Sequence, residues 1–199
     1  MRITARQTRL ALLAITVLAL GASHPAVDQL AIKEGSRLWF EGTSTVRDWN
    51  CQASRLDAVI DAEAGAPAAV LGGQKAVRTV TLTIPVAQLN CNDNRTMNGH
   101  MWKALNSERH PAIQFVLTNY DVARAAPSRG TLQGTLMING TTRPVTLPVA
   151  FEGAEGALRV TGTYALKMTD WGVAPPKLMM GAMKVGETVT VRFDLLLQH

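Results

Sequence analysis

Thr188-Val-Thr-Val-Arg-Phe-Asp-Leu-Leu-Leu197 closes the chain in strict alternation. Val189, Val191, Phe193, Leu195 and Leu197 fall on one side, and Thr188, Thr190, Arg192 and Asp194 on the other. A period of two belongs to a β-strand with one dry face and one wet face. The pattern recurs upstream. Val80, Leu82, Ile84 and Val86 oppose Thr79, Thr81 and Thr83; Val145, Leu147, Val149 and Phe151 form another such row, as do Leu158, Val160, Gly162, Tyr164 and Leu166. Less regular strands are predicted over 36–42, 52–63, 113–121 and 131–138. Asn139-Gly140 and Gly153-Ala154-Glu155-Gly156 stand between alternating runs as hairpin turns. The reading is all-β, about eight strands following one another mostly as antiparallel hairpins. No set of long helices is available to cover their apolar faces. Closing the sheet on itself buries those faces and removes the edges together.

One short helix, after the third or fourth strand, is predicted over 95–106. Met97, Met101, Ala104 and Leu105 recur at helical spacing, Asn94 or Thr96 can cap the start, and Pro111 returns the chain to an extended form. The Met-rich stretch 175–183, bounded by Pro175-Pro176 and Gly181, reads as a helical turn or a lid. The stretch 64–73, made of Ala, Gly and Pro with few other residues, reads as a long loop inside one domain spanning 30–199.

The N-terminus carries Arg2, Arg6 and Arg9 before an apolar run from Leu10 to Ala22 and a small-residue exit. This is the layout of a secretory signal peptide over 1–23, with cleavage expected after Gly21 or Ser23. The run is short of the roughly 20 residues of a spanning helix, so a mature chain without stable membrane insertion is expected. The formal charge of +5 falls to +2 once the three leader arginines are removed. With no basic run interleaved with aromatics, nucleic-acid binding has no support. Cys51 and Cys91 both lie in the exported part, where a disulfide is the default pairing. The alternative, a metal pair, lacks further ligands at metal spacing, and no metal site is expected.

Catalytic groups do not assemble in the sequence. His24 sits at the leader junction and His199 at the terminus, leaving His100 and His110; Asp48, Asp57, Asp61 and Asp170 are scattered. Nucleophile-elbow, zinc-protease and phosphate-loop motifs are missing. The protein is therefore read as a binding protein and not an enzyme. Met97, Met101, Met179, Met180 and Met183 are read as adaptable apolar lining rather than as a soft-metal site. Asn94-Arg95-Thr96 and Asn139-Gly140-Thr141 match the glycosylation acceptor pattern and are assigned no role.

Several runs resemble one family. NRTMNGHMWKALNSERHPAIQF is similar to the helix-then-strand signature of the YceI-like, polyisoprenoid-binding, lipocalin-like proteins. GTLMINGTTRPVTLPVAFEG resembles that family's hairpin; MTDWG and VTVRFDLLL follow in order, over 36–197 in all. The opening GTSTVRDWNC, with Cys91 later, resembles a subgroup with a two-cysteine disulfide. The resemblance implies an eight-stranded antiparallel lipocalin-like barrel, periplasmic or secreted, holding a long-chain amphiphilic lipid (polyisoprenoid or quinone-like) for transport or storage. No cofactor is implied beyond that lipid. The chain departs from the commoner pattern at Asn98, Gly99 and Met101-Trp102, where an acidic residue and paired aromatics are usual, which bears on the head group.

An eight-stranded barrel is wide enough for one slender ligand. Alternation then points Leu82, Ile84, Phe115, Leu117, Leu136, Leu147, Val149, Val160, Tyr164 and Phe193 inward, with Phe40, Met101, Trp102, Leu105, Trp171 and Met180 at the mouth. Two other readings stay open. One is an interaction protein with a filled β core acting through its loops. The other is an enzyme with a polar pair in the lumen near His100, Tyr164 or Asp170. The oligomeric state, a homodimer included, is not specified.

Overall fold

The computed structural model describes residues 27–124 and 128–198. The expected signal peptide, its cleavage sites and His199 lie outside the described residues.

Three of the barrel's strands are each broken once. β1 (Val27–Ile32) and β2 (Arg37–Ser44) run along the same partner strand and are separated by a turn at Gly35, whose φ is 90°. The hydroxyl of Ser36 bridges the gap, accepting from the Leu196 N–H at 2.9 Å, while Lys33 N–H donates to the Leu196 carbonyl at 2.8 Å. β3 (Trp49–Ala53) and β4 (Asp57–Glu63) are likewise one bent strand; the single strand expected over 52–63 is interrupted at 54–56. β5 (Val77–Pro85) and β6 (Leu89–Asn90) are separated by a 3-10 turn over Val86–Gln88. The unbroken strands are β7 (Ala112–Val122), β8 (Ser128–Ile138), β9 (Thr141–Ala154) and β10 (Ala157–Lys167). A two-residue β11 (Lys177–Leu178) precedes the final β12 (Met183–Gln198).

Hydrogen-bonded neighbours run β1-β4-β5-β7-β8-β9-β10-β12, and β12 returns to β1 through Ala31 opposite Gln198 and Ile32 opposite Leu197. β2, β3 and β6 continue the same wall beyond the breaks. The result is a closed, antiparallel, up-and-down eight-stranded barrel, so the fold read from alternation stands. Asn139 and Gly140 both take positive φ, 49° and 74°, in the two-residue β8–β9 turn, the conformation such hairpins require.

Among the described residues, two α-helices stand at opposite ends. α1 (Ala66–Leu71) occupies the stretch read as a loop. With six residues between Gly65 and Gly72-Gly73 it is too short to show helical periodicity, yet Ala66 and Val70 are fully buried and close one end of the barrel. Tyr120 supports that end, its hydroxyl accepting from the N–H groups of Ala76 at 2.7 Å and Val77 at 3.0 Å. α2 (Arg95–Ala104) lies where expected, and Asn94 caps it by accepting from Met97 N–H at 3.0 Å. A disulfide joins Cys51 of β3 to Cys91, just before α2, which settles the choice between disulfide and metal pair. The Cys91 N–H donates to the Asn98 side chain at 2.8 Å.

The outer wall is polar. Arg159 of β10 holds Asp194 of β12 with two N–H donors at 2.8 and 2.7 Å, and Arg37 of β2 approaches the same carboxylate at 3.4 Å. These hydrogen bonds, Arg159 first, hold the Asp194 carboxyl below its usual range although burial opposes them. Arg192 and Glu41 pair beside them at 3.0 Å. Apolar inside and charged outside is the inverse of a barrel that crosses a bilayer. No helix of the described residues is long and apolar enough to cross a membrane.

Candidate functional site: the barrel lumen

The inward rows do not meet at the barrel axis. They surround a cavity of about 490 Å³, within the usual range of small-molecule sites. Every apolar residue of the terminal row, Val189 to Leu197, lines it. Of the residues expected to point inward, Leu82, Ile84, Phe115, Leu117, Leu136, Leu147, Val160, Tyr164 and Phe193 line the cavity; of those expected at the mouth, Phe40, Met101, Leu105 and Trp171 do.

Three others are placed differently. Val149 is buried in the packed core and does not line the cavity. Trp102 does not line the cavity; it packs against the barrel core and donates its indole N–H to the Leu89 carbonyl at 3.3 Å. Consecutive helix residues diverge by roughly 100°, so Trp102 is turned from Met101 toward Leu89. Met180 is fully exposed at a φ of 54°, outside the mouth. The alternation rule gave it no register, because it stands in an irregular turn between β11 and β12.

The structure adds lining residues that the sequence reading did not assign to the lumen. Val70, Tyr120, Phe151 and Leu158, all buried, form the closed end. α1, which supplies Val70, gave no periodic signal. The other three carried usable clues: Phe151 and Leu158 stand in alternating rows, and Tyr120 in the expected strand over 113–121. The other end opens beside α2 and the β2–β3 turn. There Arg47, Asn94 and Thr96 are exposed, while Ser44, Met97 and His100 complete the rim. Met168 and Met183 join Met97 and Met101 in the lining, so unbranched, polarizable side chains gather where a ligand would enter. Trp171 is pinned at this end by its indole N–H, donated to the Leu136 carbonyl at 3.0 Å.

Charge is sparse in the lining. Arg47 is its one permanently charged residue, and no acidic residue joins it among the described residues. Among the described residues the guanidinium of Arg47 has no side-chain partner, and its backbone is engaged with the Ser44 hydroxyl. Asp170 does not line the cavity; its carbonyl accepts from Arg143. No group of His, Cys, Asp and Glu among the described residues is arranged to hold a metal ion. The arrangement can desolvate a slender apolar chain along its length and leave a polar group at one end in water.

A closed eight-stranded barrel around one apolar, one-mouthed cavity defines a lipocalin-like protein. A family model for the YceI-like domain matches residues 33–197, and the chain belongs to the YceI-like family. The structure is similar to that of Burkholderia cenocepacia BcnA, at 18% identity over 83% of this chain and 99% of that chain, with a TM-score of 0.65. It is also similar to a polyisoprenoid binding domain from Saccharophagus degradans implicated in plant cell wall breakdown, at 13% identity over 88% of this chain and 99% of that chain, with a TM-score of 0.62. The Campylobacter jejuni YCEI protein matches at 18% identity over 73% of this chain and 82% of that chain, with a TM-score of 0.57. At these identities the likeness is one of fold. None of the curated proteins matches the chain in sequence.

Proposed function

We propose that this protein is an exported carrier or store for a long-chain amphiphilic lipid, polyisoprenoid or quinone-like, held tail-inward in the lumen. The observation that carries the reading is the cavity of about 490 Å³, apolar along its depth, closed by α1 and rimmed by polar groups only at its mouth. Each buried CH₂ of such a tail contributes about 0.8 kcal/mol, so affinity needs few polar contacts. The polar head then sits near Arg47, Ser44, Asn94 and His100. The polyisoprenoid binding domain from Saccharophagus degradans shares the fold and supports the ligand class. An exported, oxidising location fits the disulfide and the leader. The cavity speaks against a filled core acting through its loops, and a polar pair deep in the lumen, which the enzymatic reading needs, has no support from its apolar lining.

Native mass spectrometry of the gently purified protein tests this, followed by titration with geranylgeraniol and with a quinone bearing an isoprenoid tail. An equimolar complex is expected. Val160→Trp, which fills the lumen from β10, should weaken uptake roughly tenfold or more, about 1.4 kcal/mol or above. A correctly folded protein that carries no lipid and takes up neither probe overturns the proposal.

A further inference from the structure

Three large apolar side chains stand out in water among the described residues: Val46, Val59 and Met180, at 64%, 59% and 108% exposure. Val59 is on the barrel wall. The other two stand on neighbouring segments at the mouth end. Val46 is at the tip of the β2–β3 turn and Met180 in the turn after β11.

These two segments are held together. Thr45 N–H donates to the Lys184 carbonyl at 3.0 Å, Lys184 N–H donates to the Thr45 hydroxyl at 3.2 Å, and that hydroxyl donates to the Ala182 carbonyl at 3.3 Å. Val46 and Met180 therefore belong to one joined rim. The backbone of Met180 lies in the left-handed region that methionine rarely adopts. Neither burial nor backbone preference accounts for an apolar side chain held outward there.

The rim is also cationic. Arg47, Lys177 and Lys184 carry no ion pair among the described residues, and Lys177 lies directly across from Lys184 in the β11–β12 pair. Asp48 is the single acid of the two segments. At the closed end Lys75 and Arg78 are paired with Asp121 and Glu63 at 3.4 and 3.5 Å, and Arg124 donates to the Gly72 carbonyl at 2.8 Å. Protruding apolar tips among unpaired cations match a lipid surface that is apolar below and negatively charged above.

We infer that the mouth end docks on an anionic bilayer, with Val46 and Met180 entering the headgroup boundary and Lys177 and Lys184 meeting anionic headgroups. This goes beyond binding in the lumen, because it identifies the surface from which a lipid is collected or to which it is delivered.

Cosedimentation of the mature chain with vesicles tests it. Vesicles of phosphatidylcholine with phosphatidylglycerol are compared with phosphatidylcholine alone, neither containing an isoprenoid, so this test is separate from lumen binding. Binding is expected to the anionic vesicles, falling several-fold at about 0.5 M salt, where screening is strong. Val46→Asp, Met180→Asp and the pair Lys177→Glu with Lys184→Glu should each weaken it roughly tenfold, about 1.4 kcal/mol. Val59→Asp, as exposed but far from the rim, should leave it unchanged. Failure of the wild type to bind anionic vesicles, or an equal loss with Val59→Asp, overturns the inference.

Discussion

The ring of Phe193 lies over the backbone of Gly162, its partner across the β10–β12 pair: a Cβ at Gly162 would stand 2.3 Å from Phe193 Cζ. The same relation recurs around the barrel. Gly134 leaves room for Phe115, with ring carbons at 2.6 and 2.7 Å from its absent Cβ, and Gly42 for Trp49 at 2.3 Å. Glycine in a strand interior often marks such a close approach. Here it lets large rings lie back against the wall. Phe115, Trp49 and Phe193 thus line the lumen without occupying it.

Gly162→Ala is therefore expected to do two things. The added methyl group must displace the Phe193 ring, and the free direction is the lumen. Overpacking of this kind costs about 1–3 kcal/mol, readable as a lower urea midpoint. Uptake of an isoprenoid probe should fall further than the stability loss explains. Phe193→Leu in the Gly162→Ala background should restore much of the uptake, since the smaller side chain vacates the contested space.

Alternation made the barrel legible, because a half-buried strand writes its register into every second residue. The row from Val189 to Leu197 lines the cavity without exception. Where the period is not two, the sequence carried less. α1 is too short to repeat, and the breaks at Gly35 and Ser54 depend on bridges such as Ser36 to Leu196 that join residues far apart in the chain. Trp102 and Met180 were misplaced for a related reason. Their positions depend on which face α2 turns inward and on an irregular turn, and neither follows from local pattern. An open lumen was not readable at all, since it depends on ring positions set by Gly162, Gly134 and Gly42.

The Cys51–Cys91 disulfide spans a separation of 40 residues and ties β3 to the segment that starts α2. Its removal by Cys51→Ser with Cys91→Ser should destabilise the fold by about 2–4 kcal/mol. Guanidinium titration of wild type and variant, with and without reductant, measures this. The reductant should lower the midpoint of the wild type alone. Amide exchange in α2 should rise more than in β8 and β9, because the bridge fixes the mouth and not the hairpins.

Tyr120 closes the far end through its hydroxyl, which accepts two backbone N–H groups at 2.7 and 3.0 Å. Tyr120→Phe leaves the donors of Ala76 and Val77 without that acceptor, at about 1–3 kcal/mol for buried groups. The ring still fills its place, so the barrel should fold with a lower midpoint and faster exchange at those two amides. Probe uptake through the opposite mouth should change little.

Asp194 is ionised and doubly bonded to Arg159 in the folded chain, with Arg37 nearby, so its carboxyl titrates below its usual value. In the unfolded chain it titrates at about 3.9. Between those two values the unfolded chain binds more protons than the folded one, and stability must fall as pH falls. The contribution of this carboxylate is complete above about pH 4 and is lost as pH drops through its depressed folded value. Asp194→Asn removes the ionisable group while keeping its shape. Wild type should exceed the variant in urea stability at neutral pH, and the gap should narrow as pH falls below about 4. A gap that stays constant with pH would mean that the Arg159–Asp194 pair contributes through packing alone.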